Sequence, residues 1–216
     1  MREEFPDDFT RVRSSLVIMA KAVREAMRQA SAALLAADQN LAYGVTVRDA
    51  EIDVLYRVVE DRVYDVVALR HPVGGDLRIV MTALQAAADL DRMGELAVHV
   101  ARATLRRHPQ PAVAPELAVL FHSMAAVADD LAGKIVSALA DQDQVLAAGL
   151  DADDDAMDEL HRELFGVMLS HEWPLGVEAA VDGALLGRYY ERYADHAVNV
   201  GRHVISMAAG RTAEPA

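Results

Sequence analysis

The chain contains no cysteine. That removes disulfides, thiolate catalysis and Cys-ligated zinc, and it fits a reducing compartment. Any metal would have to be held by oxygen or imidazole. Prolines number only 7 and glycines 12 in 216 residues, and aromatics make up 5%. Breakers this sparse leave long uninterrupted intervals, which favours helices over a turn-rich β architecture. No apolar run reaches the 18 or so residues of a membrane span, and the opening MREEFPDDF is too acidic for a signal peptide, so the expected location is the cytoplasm, without membrane insertion. Basic residues are the scarcer sign, 21 against 34 acidic, giving a net charge of −13. Such a balance opposes binding to nucleic-acid phosphates. The cluster Arg102, Arg106, Arg107 is too small to reverse it and reads as a solvated helix end.

What is present is an ordered, apolar-rich sequence: 53% hydrophobic and 25% charged residues. Phe9, Val12, Leu16, Met19, Val23, Ala26, Ala30, Ala33 and Ala37 recur at spacings of three and four, a sustained helical packing seam. Asp7 or Asp8 is placed to cap its start. Prolines at 6, 72, 109, 111, 115, 174 and 215, with glycines including Gly44, Gly74, Gly149 and Gly176, punctuate the chain into six predicted helices near 8–41, 46–70, 76–107, 114–141, 144–171 and 176–209. The segment 108–115 divides three helices from three, so the predicted domains are residues 1–109 and 110–216. The expected fold is all-α, two tandem three-helix bundles.

The halves resemble each other. Asp91-Arg92-Met93-Gly94-Glu95-Leu96-Ala97-Val98-His99 aligns at an offset of 100 with Glu191-Arg192-Tyr193-Ala194-Asp195-His196-Ala197-Val198-Asn199. At an offset of 105, Asp49-x-x-Ile52-Asp53-x-Leu55 aligns with Asp154-x-x-Met157-Asp158-x-Leu160. This is an internal duplication.

Each correspondence carries two carboxylates four residues apart, on one face of a helix. In so acidic a chain that spacing alone discriminates nothing, but register does. If the second and third helices turn near residue 73, Asp49/Asp53 lie about 22 residues before the turn and Asp91/Glu95 about 20 after it, which at 1.5 Å per residue is nearly one level. Asp154/Asp158 and Glu191/Asp195 are levelled likewise about a turn near residue 174. Four converging carboxylates require a counter-charge. A hard cation such as Mg²⁺, Mn²⁺ or Fe³⁺ is one answer. A purely structural network with Arg92 and Arg192 is the other. His99 and Asn199, one turn on, are either further ligands, supporting groups or plain surface residues. Asp158-x-x-His161 occurs once, and no paired Glu-x-x-His or His-x-x-x-His builds a ferritin-type or zinc site. Gly183-x-x-x-Gly187 and Gly201 read as points of close helix approach, and Trp173 as a cap over a bundle end.

No G-x-S-x-G, phosphate-binding loop or dinucleotide fingerprint is present, so the chain is read as a regulatory or partner-binding protein and not an enzyme. Leu90-Asp91-Arg92-Met93-Gly94-Glu95 and Tyr190-Glu191-Arg192-Tyr193-Ala194-Asp195, with Arg70-His71-Pro72 and Asp76-Leu77-Arg78 before the third helix, resemble the duplicated signature of the PhoU family, bacterial phosphate-signalling accessory proteins. The resemblance spans about residues 9–209. It implies a negative regulator of the phosphate-starvation response that links the ATPase subunit of a phosphate ABC transporter to a sensor histidine kinase. It also implies surface metal clusters, whose ligands here would be Asp49, Asp53, Asp91, Glu95, Asp154, Asp158, Glu191 and Asp195, holding Mg, Mn, Fe or Zn. The runner-up is a carboxylate-bridged metal store or oxidase; a ligand-free helical scaffold is the third reading. The length of the 9–37 seam suggests leftover apolar surface and hence a homodimer.

Overall fold

In the computed structural model, which describes residues 5–212, the chain forms helices α1 (Phe5–Ala36), α2 (Gln39–Arg70), α3 (Gly75–Arg107), α4 (Ala118–Asp141), α5 (Gln144–Met168) and α6 (Gly176–Thr212), with a 3-10 turn at Pro115–Leu117 before α4. Pro215 and the outermost ends of the two predicted halves, residues 1–4 and 213–216, lie outside the described residues.

Several boundaries differ from the sequence expectation, among them the start of α4, four residues late behind the 3-10 turn. The first break falls at Ala37–Asp38, ahead of Gly44, which sits inside α2. Ala37 takes a left-handed φ of 50°, and the Asp38 carboxylate accepts hydrogen bonds from the Asn40 and Leu41 backbone N–H groups at 2.9 and 3.0 Å. A side-chain cap therefore ends one helix and starts the next without glycine. The device recurs: Gln142 has φ 57°, and Asp143 accepts from Val145 and Leu146 N–H, both at 2.9 Å. Gly149 likewise lies within α5. At the start of α1, Asp7 and Asp8 stand in the first turn and not before it, and Asp8 instead accepts from Arg70 Nε at 2.8 Å, joining α1 to the end of α2. α5 ends at Met168, three residues early.

α1, α2 and α3 pack on one another, and so do α4, α5 and α6, giving two tandem three-helix bundles. The bundles then pack together through α3 on α6, the most extensive helix pair, and α1 on α4, so that one apolar core runs through both. The seam residues Phe9, Val12, Leu16, Met19, Val23, Ala30 and Ala33 are buried inside this core. The seam is thus consumed within the chain and is not a dimer face, which corrects the reason given above for a homodimer. Exposed large apolar residues lie both at the hairpin ends, with Leu69, Val73, Leu169 and Val177, and along the helices, with Ile18, Tyr43, Val54 and Val119 among them.

α3 and α6 run antiparallel. Arg107, at the end of α3, bonds Glu178 at 2.7 Å and Asp182 as well, near the start of α6, so it is an inter-bundle clamp and not a solvated helix end. Midway, Asp89 accepts from His196 Nδ1 at 2.8 Å and His203 Nε2 at 2.9 Å. Between α1 and α4, the Arg24 guanidinium pairs with both Asp129 oxygens at 2.7 and 2.8 Å. Positions 24 and 129 are separated by 105, the offset of the repeat, so this pair joins duplicate positions where the two copies meet.

Candidate metal centres

Each acidic quartet lies along the seam between an outer helix and its partner, α2 with α3 and α5 with α6. The outer helices pack only lightly beyond their own bundle, so these seams reach the surface. Glycines bring the helices close. A Cβ at Gly94, on α3 between Asp91 and Glu95, would stand 2.9 Å from Ile52 Cδ1 on α2. A Cβ at Gly201 would stand 2.7 Å from Leu150 Cδ1 and 2.8 Å from the Ala147 carbonyl oxygen. One at Gly187 would collide with Leu164, and one at Gly183 with Met168 and Leu117. Gly183, Gly187 and Gly201 are points of close approach, as the sequence reading held.

The exposure pattern repeats with the sequence. Asp49 and Asp154 are half-buried, as are Asp91 and Glu191, whereas Asp53 and Asp158, one turn on, are exposed. Glu95 is half-buried and Asp195 exposed, the one difference. Within each half the charges act on one another. Burial pushes the Asp91 carboxyl up from its ordinary range, and Glu95, Asp53 and Asp49 push it further. Asp49 is raised by burial and by Asp53, against the opposing influence of Arg102 and His99. Asp154 is raised to about 6 by burial, then by Asp158, Asp195, Glu191 and Asp151. Glu191 is raised by burial and Asp195. Burial is the largest cause for each of these carboxyls, and the like charges beside them act in the same direction.

Arginines answer this only in part. Arg92 pairs with Glu95 at 2.6 Å, and Glu191 pairs with Arg188 and not Arg192. Among the described residues, the side chains of Asp49, Asp53, Asp91, Asp154, Asp158, Asp195 and Arg192 enter no ion pair or hydrogen bond. No three Asp, Glu or His side chains among the described residues gather tightly enough to hold an ion. The donor set, four mutually repelling carboxylates per half with most unpartnered, fits a hard cation that would draw them together. Beside the second quartet lies an open polar hollow of about 270 Å³, lined by Asp151, Asp154, Arg192, Asp195, Asn199 and Arg202 among others.

His99 and Asn199 occupy different roles. The His99 ring stacks on Tyr189 of α6, centroids 5.1 Å apart at 20°, while Asn199 Oδ1 accepts from Arg202 at 3.3 Å. Trp173 lies at the α5–α6 turn and donates from Nε1 to the Gly176 carbonyl at 2.8 Å. The sequence reading missed the Asp89–His196–His203 cluster. Its only signal was the spacing of seven between the histidines, which sets them two turns apart on one face.

Comparison with known proteins agrees with the duplicated geometry. The PhoU domain family matches residues 16–104 and again 121–204. The chain is 43% identical over 210 residues to "phosphate-specific transport system accessory protein PhoU homolog 2" of Mycobacterium tuberculosis, covering 97% of this chain and 99% of that one. It is 42% identical to PhoU homolog 1 of Mycobacterium leprae, covering 97% and 95%. The crystal structure of PhoU from Pseudomonas aeruginosa superposes with a TM-score of 0.86 at 27% identity, over 95% of this chain and 99% of that one. The phosphate transport system regulatory protein PhoU from Streptococcus pneumoniae shares the fold, with a TM-score of 0.82 at 21% identity over 98% and 100%.

Proposed function

The chain belongs to the PhoU family, and on that premise we propose that it is a negative regulator of the phosphate-starvation response and of phosphate uptake, acting in the cytoplasm by contact and not by catalysis. Its partners in this reading are the ATPase subunit of a phosphate ABC transporter and a sensor histidine kinase, and it works as a homodimer. The observation that carries the reading is the family match in both halves together with near full-length identity to phosphate-transport accessory proteins. No described helix is long and apolar enough to cross a membrane.

We further propose that Asp49, Asp53, Asp91 and Glu95 hold one cationic centre, and Asp154, Asp158, Glu191 and Asp195 a second. A bound Mg, Mn, Fe or Zn ion would neutralise each quartet. The chain's contribution is to set the carboxylates at one level on two helices and to leave them short of arginine partners, so that the seam is electrostatically strained until a cation arrives. The store or oxidase alternative is not favoured: ferritin-like sites lie inside the bundle, whereas the buried polar residues described here are Ser15, Ser31, Thr82 and Thr104, with no carboxylate among them.

Deletion of the gene tests the reading. Phosphate-repressed uptake and scavenging functions should switch on in phosphate-rich medium, and a wild-type copy should restore repression. A copy carrying Glu191→Ala and Asp195→Ala tests whether the second centre takes part. Where a paralogue exists, as with the two homologues of Mycobacterium bovis, both genes are removed. Unchanged expression after that removal overturns the regulator.

A further inference from the structure

The α3–α6 pair has an open side whose side chains serve neither the core nor the acidic quartets. α3 is covered by α1, α2 and α6, and α6 by α3, α4 and α5, so each of the two helices keeps one uncovered side. On α6 that side carries Val177, Val181 and Leu185, spaced by four and 80, 50 and 43% exposed. On α3 it carries Arg102 and Arg106, both exposed. Among the described residues neither guanidinium enters an ion pair or hydrogen bond.

Contacts at both ends of this stretch fix how the two rows lie. Arg107 reaches Glu178 and Asp182, and the His99 ring stacks on Tyr189. Residues 99–107 of α3 therefore run antiparallel beside residues 178–189 of α6, with Arg106 near the level of Val181 and Arg102 near that of Leu185. An apolar ridge and a cationic ridge thus flank one groove, about 12 Å long at 1.5 Å per residue. The acids closest to it on α6, Glu178 and Asp182, are engaged by Arg107. Asp49 on α2 feels the Arg102 charge, but no ion pair forms between them. The groove therefore presents apolar surface beside two unpaired positive charges in a chain of net charge −13.

The repeat does not build the same surface at the other end of the pair. At the offset of 100, Leu77 and Met81 stand for Val177 and Val181, but Gln85 stands for Leu185 and Ser206 for Arg106. Arg202, the counterpart of Arg102, is held by Asp151 at 2.7 Å, and at the offset of 105 Thr46 stands where Asp151 does. Only one end carries the full combination, and the other is an internal control.

We propose that this groove docks a partner protein through one amphipathic, acidic helix, its apolar face on Val177, Val181 and Leu185 and its carboxylates on Arg102 and Arg106. This deepens the reading of the chain as a regulator that acts by contact, and rests on it. Charge complementarity selects the occupant: a basic helix would be repelled, whereas carboxylates one turn apart match two arginines one turn apart, each able to form a forked pair. Anchors at spacings of four are the pattern by which a groove reads a helix. The patch is small, so the contact belongs to the transient class, with the arginines setting selectivity more than affinity.

The test is fluorescence anisotropy of the full-length chain with a labelled synthetic helix of about 20 residues, leucines at spacings of three and four with glutamates beside them, and a twin with lysine for every glutamate. The glutamate peptide should bind saturably and the lysine twin about tenfold more weakly or worse. Arg102→Glu with Arg106→Glu should reverse that preference, a result that misfolding cannot produce. Val181→Asp with Leu185→Asp should weaken the glutamate peptide about tenfold or more, and Leu77→Asp with Met81→Asp by less than about threefold. The proposal is overturned if the two peptides bind alike, if the arginine variant keeps the wild-type preference, or if the 77/81 variant loses as much as the 181/185 variant. Sedimentation in which Val181→Asp with Leu185→Asp turns a dimer into a monomer would make a second copy the occupant, and overturn it too. In cells, a 181/185 variant copy should fail to restore repression in the deletion strain. Full restoration would show that the groove is not used while the regulator reading stands; if deletion itself derepresses nothing, the regulator reading fails, and the peptide preferences still decide the groove.

Discussion

Asp89 shows how much of the stability between bundles rests on one side chain. It is 18% exposed and accepts from two imidazoles on α6. Burial alone would raise its carboxyl, but the hydrogen bonds from His196 and His203 outweigh that and hold it down at about 2. Its folded value is therefore below that of an unfolded aspartate, about 3.9. The stabilisation is present in full above that value and disappears as the pH falls through about 2. Asp89→Asn should lower stability near neutrality by about 1–3 kcal/mol, and the gap in melting temperature between wild type and variant should close between pH 5 and pH 2. A gap that stays constant down to pH 2 would show that the carboxylate charge contributes nothing. The eight carboxylates proposed as metal ligands stand out in the sequence through duplication and register alone. Asp89 was not, since its partners lie more than a hundred residues away and its position has Tyr189 as its repeat counterpart, which stacks on His99 instead.

At the scale of helices, glycines with the same residue type have opposite meanings. Gly149 is exposed within α5 with open space around its Cα, so Gly149→Ala should gain about 0.5–1 kcal/mol from reduced chain entropy in the unfolded state. Gly201 faces the Ala147 carbonyl across the α5–α6 seam, so Gly201→Ala should lose about 1–3 kcal/mol as the helices are forced apart, despite alanine's better propensity. Urea titration of the two variants checks the signs; if both are stabilised, the seam is looser than described. Element boundaries were legible at the two hairpin turns, where Pro72 and Pro174 neighbour Gly74 and Gly176, the latter two with φ of 57° and 74°. They were misread at the α1–α2 junction because the stop there is made by an aspartate cap. The repeat held the clue: Asp38-Gln39-x-Leu41 recurs as Asp143-Gln144-x-Leu146, and at both places the aspartate starts a helix.

Across the whole molecule the duplication produces two bundles but not two separate cores. Periodicity shows which face of a helix is apolar, not which neighbour covers it, so the docking of α3 on α6 and α1 on α4 was illegible in the sequence. Its consequence is cooperative folding. Residues of α1, α3, α4 and α6 contribute to one apolar cluster, and the Arg24–Asp129, Asp89–histidine and Arg107–Asp182 contacts cross the boundary between residues 109 and 110. Separating the halves would expose the inner faces of four helices, and at about 25 cal/mol per Å² a single bundle has little surplus to absorb that loss. Unfolding in urea should therefore be one transition. Trp173, the only tryptophan, reports on the second bundle by fluorescence, while far-UV circular dichroism reports on all six helices. The two midpoints should coincide within error, and a fragment of residues 110–216 should not reach native helicity. A midpoint that rises with protein concentration would add the homodimer to this unit, because dissociation is then coupled to unfolding. Separate transitions, or a stably folded fragment, would mean that the inter-bundle contacts are dispensable and that each repeat is a self-sufficient domain.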